Sequence, residues 1–170
     1  LIPEIAKIFY DKKINFEWSL VGYNSKKIRD FDGMEKFDLS FKYFDNVENL
    51  EEKIFPHSSL IKIFKDNHLY INLSRIESFG ITIVESLAAN LPVITFDTKG
   101  GNELVVDGYN GRVLKNFSAE EMVDAIINYQ ENVELYKNHQ KNALKSVDKF
   151  DLIKITEKTL EIYQKFISKS

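Results

Sequence analysis

The sequence predicts an α/β protein with a doubly wound parallel sheet and helices on both faces. Two observations lead to this class: segments with strand and helix patterns alternate along the chain, and the central strand segments are largely apolar. Parallel strands are buried on both faces because crossover helices cover them, so they are typically continuous apolar runs. With 170 residues and 44% hydrophobic content, the chain can form one core, and we predict a single domain over residues 1–170.

The first part of the chain predicts a helix followed by strands and short helices. Apolar residues at helical spacing predict a helix over residues 1–10, and an uncapped helix at the very start predicts further sequence upstream. Next come a strand at 15–21, a short helix or loop at 25–31 and a strand at 39–44. The segment 45–56 is ambiguous, and residues 53–55 are an alternative position for the strand predicted at 39–44. A helix at 58–65, capped by Ser58 or Ser59, and a strand at 68–73 complete this part.

The second part continues the alternation and ends in helices. We predict a helix at 81–89, a strand at 93–96, a loop containing Gly100 and Gly101, a helical turn at 102–106, a turn at 108–111 and a strand at 112–114. Ser118 and Glu121 form a capping box that starts a helix to about residue 129. Helices at 133–146 and 152–167 follow. The last carries an apolar stripe that should pack on the sheet or on another domain.

Composition excludes several classes of function. The net charge of -3 is unfavourable for a protein that binds nucleic acid, and the absence of cysteine excludes disulfides and thiolate metal sites. No apolar run approaches the roughly 20 residues of a membrane span, and no signal peptide is visible. We therefore expect a soluble, cytoplasmic protein.

The segment from Glu77 to Asp97 is the most informative part of the sequence. Gly80 lets backbone approach a ligand closely, and the first amides of the following helix, at Gly80, Ile81 and Thr82, suit a diphosphate. Glu77 precedes this turn, where a carboxylate can accept hydrogen bonds from sugar hydroxyls or stabilise developing positive charge. Glu85 could accept two ribose hydroxyls. Loops after parallel strands share one sheet edge, so this loop and that of Gly100 and Gly101 should converge there.

Other candidate sites are weaker. Asp30 and Asp32 spell an acid pair that could hold a divalent cation, but their polar surroundings favour a solvated turn. The three histidines, His57, His68 and His139, have no metal-ligand spacing.

The segment resembles the retaining, nucleotide-sugar-dependent glycosyltransferases of family 4, also called group 1, which have the two-domain GT-B architecture. The family has a glutamate, a Phe-Gly turn, a second glutamate eight residues after the first, a Pro-Val strand, a glycine loop and an Asp-Gly-x-x-Gly turn. The matching positions here are Ser74, Glu77, Phe79, Gly80, Glu85, Pro92, Val93, Gly100, Gly101, Glu103, Asp107, Gly108 and Gly111. Val21 and Gly22 add weaker similarity.

The resemblance implies that the chain is the C-terminal, donor-binding domain of such an enzyme. Glu77 would be the catalytic residue, beside the transferred sugar. The donor-binding residues would be Phe79, Gly80, Ile81, Thr82, Glu85, Gly22, Gly100 and Gly101. The partners would be a nucleotide-sugar donor and an N-terminal acceptor-binding domain of the same enzyme. No metal or other cofactor is expected, and any membrane association would come through the acceptor-binding domain. The reaction would transfer a sugar to an acceptor hydroxyl with retention, in synthesis of surface polysaccharide or glycolipid.

The sequence departs from the family in three places, one of them being that the N-terminal acceptor-binding domain is absent from the 170 residues. The family's first strand of this domain, with the basic loop that follows it, would lie upstream of Leu1. The glycine loop is also altered, because only Asn102 separates Gly101 from Glu103 unless Lys99 replaces the first glycine. Two alternatives therefore stay open: a non-catalytic α/β nucleotide-binding or scaffold domain, and a sugar-nucleotide epimerase.

Overall fold

The structure is a computed structural model that describes residues 1–22, 24–44 and 57–167, so the ambiguous segment 45–56 lies outside the described residues. The described strands are β1 (Trp18–Val21), β2 (Phe41–Phe44), β3 (Tyr70–Asn72), β4 (Val93–Phe96) and β5 (Gly111–Leu114). The described α-helices are α1 (Ile2–Asp11), α2 (His57–Lys65), α3 (Ile81–Ala88), α4 (Lys99–Leu104), α5 (Ala119–Glu131), α6 (Val133–Ser146) and α7 (Leu152–Ile167). Short 3-10 helices span Ser25–Asp30, Met34–Ser40 and Asp148–Phe150.

All strand pairs in the described part of the chain are parallel. β1 pairs with β2, and the other three strands form a sheet in the order β3-β4-β5. The predicted α/β class, with parallel strands and helices on both faces, is confirmed. The described strands nevertheless form two parallel sheets, whereas the sequence predicts one.

The two faces of β4 are buried against different helices, because successive side chains of a strand point to opposite faces. Ile94 and Phe96 pack with residues of α1 and α5, while Val93 packs with residues of α3 and with Ala143 of α6. All four residues of β4 are buried. This is why the sequence shows an uninterrupted apolar run there.

Helix α1 is held by an apolar stripe at helical spacing. Ile5, Ala6 and Phe9 are at most 3% exposed, and α1 packs along α5. Burying three such side chains contributes several kcal/mol, at about 25 cal/mol per Å² of apolar surface. The predicted helix at 1–10 is confirmed within one residue.

Several predicted boundaries are wrong for local reasons. The strand predicted at 39–44 begins at Phe41, because the 3-10 helix Met34–Ser40 takes its first two residues. Helix α2 begins at His57, so Ser58 and Ser59 lie inside it and neither is its cap. The turn predicted at 102–106 is α4, which begins at Lys99 and therefore includes both glycines of the predicted loop.

The predicted capping box of α5 is half confirmed. The Ser118 hydroxyl accepts a hydrogen bond from the Glu121 amide at 3.2 Å, as expected for an N-cap. The Glu121 carboxylate does not return to the Ser118 amide. It accepts instead from the Asn116 side chain and, at 3.4 Å, from the Asn116 amide.

Helix α7 contributes no residue to the three hydrophobic clusters of the described chain. Every residue from Leu152 to Ile167 is exposed, and the helix contacts mainly the 3-10 helix Asp148–Phe150. The prediction that its apolar stripe packs on the sheet is wrong, because α1, α3, α5 and α6 already cover the faces of the sheet that contains β4. Among the described helices, none combines the length and the apolar character needed to cross a bilayer.

Candidate functional site

The loops that leave β3 and β4 meet at the carboxyl edge of the larger sheet. The Gly100 amide donates a hydrogen bond of 2.8 Å to the Glu77 carbonyl. A Cβ atom at Gly100 would lie 2.7 Å from backbone atoms of Ser78 and Phe79. The predicted convergence of the two loops is confirmed, and it requires glycine at position 100.

A polar pair fixes the start of the first loop. Asn72 and Thr95 are opposite each other in the β3–β4 register, both are buried, and the Asn72 amide group donates to the Thr95 hydroxyl at 3.3 Å. The Asn72 side-chain oxygen accepts from the Ser74 amide at 3.2 Å. The chain therefore turns immediately after β3. The bond to Thr95 fixes the position of this turn relative to β4.

The N-terminus of α3 is open to a ligand. Gly80 is its N-cap residue with φ of +91°, a conformation that favours glycine, and no side chain caps the helix. Within the described residues, the amides of Ile81 and Thr82 have no acceptor, whereas the next amide bonds back to the Gly80 carbonyl at 3.0 Å. These amides carry the partial positive charge of a helix start and suit an anion.

Glu77 lies in the loop before α3, and Glu85 lies in the second turn of the helix. Burial raises the pKa of the Tyr70 hydroxyl, its hydrogen bond to Thr82 opposes that rise, and the nearby carboxylates of Glu77 and Glu85 add to it. The Tyr70 hydroxyl donates to the Thr82 hydroxyl at 2.9 Å. This hydrogen bond ties the Tyr70 side chain of β3 to the first turn of α3.

Tyr70 is a residue that sequence analysis missed. It lies in β3, twelve positions before Thr82, and no motif marks it. The apolar pattern of residues 68–73 predicted that Tyr70 lies in a strand, but it did not indicate any role for the Tyr70 side chain.

Phe79 is neither buried nor free. Its ring is 41% exposed and meets the Phe150 ring edge to face, with 5.6 Å between centroids. Phe150 lies in the last 3-10 helix, so this contact ties the turn before α3 to the C-terminal part of the chain. Ile81 is 67% exposed at the mouth of the same turn.

The glycines at 100 and 101 have partners within the protein. The Gly101 amide donates to the Thr98 hydroxyl at 3.1 Å, which caps α4, and a Cβ at Gly101 would lie 2.6 Å from that oxygen. Both glycines are buried. Gly100 packs α4 against the loop of Glu77, whereas Gly101 packs against Thr98, Thr95 and Phe96 at the end of β4.

Gly22 lies on the other side of a large cavity. It follows β1 with φ of +131°, and its amide donates to the Phe44 carbonyl at 3.1 Å. Gly22 and Thr82 both line an apolar cavity between β1 and β3, which we call the interstrand cavity, whereas Glu77 and Glu85 lie outside its lining. Gly22 therefore lies across the cavity from Thr82 at the start of α3.

The Asp-Gly-x-x-Gly turn is built for packing. The Asp107 carboxylate accepts from Arg112 Nε at 3.0 Å and from the Val113 amide at 2.9 Å. A Cβ at Gly111 would lie 2.1 Å from the Val93 carbonyl, so β5 can pair with β4 only through glycine. Buried Asn110 donates to the Leu104 carbonyl at 2.9 Å and to the Ser146 hydroxyl at 2.8 Å.

Basic side chains near the site are exposed. The Arg75 guanidinium lies over the Phe117 ring, 4.1 Å from its centroid, and Lys99 projects from the first turn of α4. Among the residues that the structure describes, no three acids or histidines come together in a group that could hold a metal ion. Asp30 ends a 3-10 helix and Asp32 follows it, both exposed.

The parallel α/β fold described above is shared with solved glycosyltransferases of the GT-B fold. The chain belongs to the family Glycosyl transferases group 1, whose profile matches residues 8–146.

Known relatives agree with this assignment. An uncharacterised glycosyltransferase of Methanocaldococcus jannaschii is 29% identical over 155 residues, which cover 90% of this chain and 42% of the relative. The poly(ribitol-phosphate) alpha-N-acetylglucosaminyltransferase of Staphylococcus aureus is 26% identical over 168 residues, covering 96% of this chain and 32% of the relative. The chain thus spans less than half the length of these relatives.

A solved structure supports the fold. The pneumococcal O-GlcNAc transferase GtfA, crystallised with UDP and GlcNAc, superimposes with a TM-score of 0.71 at 18% identity. The match covers 99% of this chain and 32% of that one.

Proposed function

We propose that this chain is the donor-binding half of a retaining glycosyltransferase, which moves a sugar from a nucleoside-diphosphate sugar to an acceptor hydroxyl. The observation that carries the proposal is the uncapped start of α3, with the amides of Ile81 and Thr82 open, between Glu77 in the preceding loop and Glu85 in the helix. A site with carboxylates and open helix amides can bind the hydroxyl groups of a sugar and an anionic diphosphate in the same ligand. The crystallised relative was solved with UDP and GlcNAc, which is a ligand set of this chemistry.

Each group has a distinct part in the proposed reaction. The α3 amides, helped by the Thr82 hydroxyl, stabilise negative charge that develops on the departing diphosphate. Glu85 accepts two hydroxyls of the ribose. Glu77 lies beside the sugar, where a carboxylate stabilises positive charge developing at the reacting carbon. Because the leaving group and the incoming hydroxyl would share one face of the sugar, the anomeric configuration is retained.

The glycines and Phe79 hold this geometry together. Gly100 lets α4 approach the Glu77 loop, Gly101 lets it pack on the end of β4, and Phe79 to Thr82 present backbone to the sugar and the diphosphate. Gly22 would complete the donor pocket from across the interstrand cavity. No metal is required in this scheme, because the helix N-terminus and basic side chains neutralise the diphosphate.

The acceptor would be bound by an N-terminal domain of the same enzyme. The staphylococcal relative acts on poly(ribitol-phosphate), as its name states, and the synthesis of a surface polysaccharide or glycolipid fits that precedent. The 170-residue chain by itself should bind nucleotide weakly and catalyse no transfer, since it holds only the donor half.

Isothermal titration tests the proposal. UDP-GlcNAc, UDP-glucose and GDP-mannose are titrated into the 170-residue chain, into Glu85→Gln and into Glu77→Gln, with Glu131→Gln as the matched control at the exposed end of α5. Loss of charge-assisted hydrogen bonds of about 1.5–3 kcal/mol should weaken binding of one donor at least about tenfold in Glu85→Gln. The control should bind as the parent does.

Two outcomes would contradict the proposal. One is equal affinity in the parent, Glu85→Gln and Glu131→Gln, which would place the donor elsewhere. The other is no donor binding even when the acceptor-binding domain is present, which would favour the scaffold alternative. Transfer of sugar by the isolated 170 residues would contradict the division of labour between domains.

A further inference from the structure

The hydrogen bond between Tyr70 and Thr82 connects the first residue of β3 with the second residue of α3. Its length is 2.9 Å, and the Tyr70 hydroxyl is the donor. Burial raises the pKa of Tyr70 above its ordinary value, so the phenol keeps its proton at neutral pH and remains able to donate. The Thr82 oxygen is therefore engaged as an acceptor, which leaves the proton of its own hydroxyl available to another group.

The Tyr70 side chain is itself held in place by two neighbouring elements. Its backbone lies opposite Val93 of β4, and its amide donates to the Pro92 carbonyl at 3.1 Å. The Phe64 ring of α2 is buried and meets the Tyr70 ring edge to face, with 5.9 Å between centroids. The phenol hydroxyl thus reaches α3 from a position that the sheet and α2 determine.

The Thr82 hydroxyl has an alternative that this bond prevents. A threonine in a helix divides between two side-chain rotamers, because its hydroxyl can bond back to a carbonyl three or four positions earlier. For Thr82 those carbonyls belong to Phe79 and Ser78. In the structure the hydroxyl bonds to Tyr70 instead, and within the described residues it has no second partner. The bond to Tyr70 therefore selects one rotamer of Thr82.

The available hydroxyl proton lies next to the open amides at the start of α3. The Thr82 amide belongs to the same residue, and the Ile81 amide precedes it, and neither has an acceptor in the described part of the chain. Two adjacent residues thus offer three donors. An anion with several oxygens can accept from all three, and hydrogen bonds to an ionised acceptor are stronger than neutral ones.

We propose that Tyr70 is a positioning residue for the donor: it holds the Thr82 hydroxyl so that its proton points to the second phosphate of a nucleoside diphosphate, the phosphate that carries the sugar. Tyr70 acts through Thr82 and does not itself contact the ligand. This inference rests on the proposed function, which supplies the diphosphate. It adds a residue of β3 to a site otherwise built from the loop before α3 and from α3 itself.

The test measures the contribution of the second phosphate alone. UDP, GDP and ADP are titrated into the parent, and the nucleotide that binds most tightly is compared with its own monophosphate. The ratio of the two affinities is then measured in Tyr70→Phe, in Thr82→Val and in the double variant. Tyr70→Phe keeps the ring that packs on Phe64, so the fold is retained. Tyr136→Phe is the matched control, because it removes a phenol hydroxyl that donates to the His68 carbonyl at 3.0 Å, two residues before Tyr70.

We expect Thr82→Val to lower the ratio of diphosphate to monophosphate affinity about tenfold and Tyr70→Phe to lower it about threefold. The double variant should match Thr82→Val, because Tyr70 has no effect on the phosphate once the Thr82 hydroxyl is gone. The control should keep the parental ratio. A purely structural role of Tyr70 would weaken both nucleotides equally and leave the ratio unchanged.

The inference and the proposed function fail in different ways. If the diphosphate binds the parent and Glu85→Gln weakens it, but Tyr70→Phe keeps the parental ratio, the inference alone is overturned. Additive effects of the Tyr70 and Thr82 substitutions would also overturn it, since Tyr70 would then act by another route. If none of the three nucleotides binds the parent, the proposed function and this inference are overturned together.

Discussion

Gly100 and Glu77 are joined backbone to backbone, with the Gly100 amide donating to the Glu77 carbonyl at 2.8 Å. This bond crosses from the helix after β4 to the loop after β3. It positions the Glu77 backbone, and hence the carboxylate, relative to the first turn of α3. The site thus depends on a contact between a loop and the first turn of a helix that are more than twenty residues apart.

The first prediction concerns this contact. Gly100→Ala should destabilise the fold by about 1–3 kcal/mol. The new Cβ would lie 2.7 Å from backbone atoms of Ser78 and Phe79, and backbone cannot move away as easily as a flexible side chain. Donor binding should be lost as the Glu77 loop is displaced. Urea unfolding and the donor titration measure the two effects. Gly33→Ala is the control: it has open space but φ of +77°, so it should cost about 1 kcal/mol or less and leave binding intact.

The second prediction separates two glycines of one turn. Gly111→Ala should prevent stable folding, because its Cβ would lie 2.1 Å from the Val93 carbonyl and break the β4–β5 ladder. Gly108→Ala meets nothing within 4 Å and should cost only the strain of its φ of +76°, about 1 kcal/mol. Circular dichroism during urea unfolding compares the two. Equal stability of both variants would show that β4 and β5 do not pair as described.

The third prediction is a dependence of stability on pH. Burial lowers the pKa of His139, and Arg112 lowers it further, while a backbone contact at Gly108 and the Asp107 carboxylate oppose the shift. The unfolded chain, with a histidine pKa of about 6.5, then binds protons more readily than the folded one. Stability from this group is complete above about pH 6.5 and is lost as pH falls below that value.

Unfolding by urea between pH 7.5 and 5 measures this loss. His139→Leu should flatten the profile over this range, although it also gives up the 2.7 Å hydrogen bond between His139 Nδ1 and Tyr129. His68→Gln is the matched control, since His68 is exposed, and its profile should follow the parent. A parent that is equally stable at both ends of the range would contradict the prediction.

The fourth prediction concerns metal ions. If helix amides and basic side chains neutralise the diphosphate, donor affinity should be the same in EDTA and in millimolar Mg²⁺ or Mn²⁺. Titration of one donor under the three conditions is sufficient. A gain of about tenfold or more with either cation would show that a metal takes part and would require a new account of the diphosphate site.

The fifth prediction concerns α7. Deleting residues 152–170 should change the free energy of unfolding by less than about 1 kcal/mol, because every residue from Leu152 to Ile167 is exposed. The same deletion should reduce binding of a hydrophobic dye, since Leu160, Tyr163 and Phe166 are each more than half exposed. A large loss of stability would mean that α7 packs on this domain. In the intact enzyme, we predict that its stripe packs on the acceptor-binding domain.

Sequence patterns predicted the long elements well and the short ones poorly. Helices 133–146 and 152–167 match the structure because their apolar periodicity extends over four turns. β3 has only three residues, and neighbouring apolar residues extended its predicted range. The meeting of the Glu77 and Gly100 loops could be predicted, since the order of parallel strands determines it.

Other features depend on three-dimensional contacts that no local pattern encodes. The bond from Tyr70 to Thr82 and the edge contact of Phe79 with Phe150 each join residues from separate elements. The interstrand cavity was equally hidden, because the sequence specifies strands without specifying which of their edges are left unpaired.

The buried pair of Asn72 and Thr95 has a consequence for accuracy at the site. If β3 shifted its register against β4 by one residue, Asn72 would point to the opposite face of the sheet, and neither Asn72 nor Thr95 would keep its hydrogen-bond partner. Each unsatisfied group in an apolar interior costs about 1–3 kcal/mol. Shifted registers of β3 are therefore unfavourable, even though β3 has only three residues. The Asn72 amide and the Thr95 hydroxyl therefore fix the register of β3 against β4, and with it the position of the loop that follows β3.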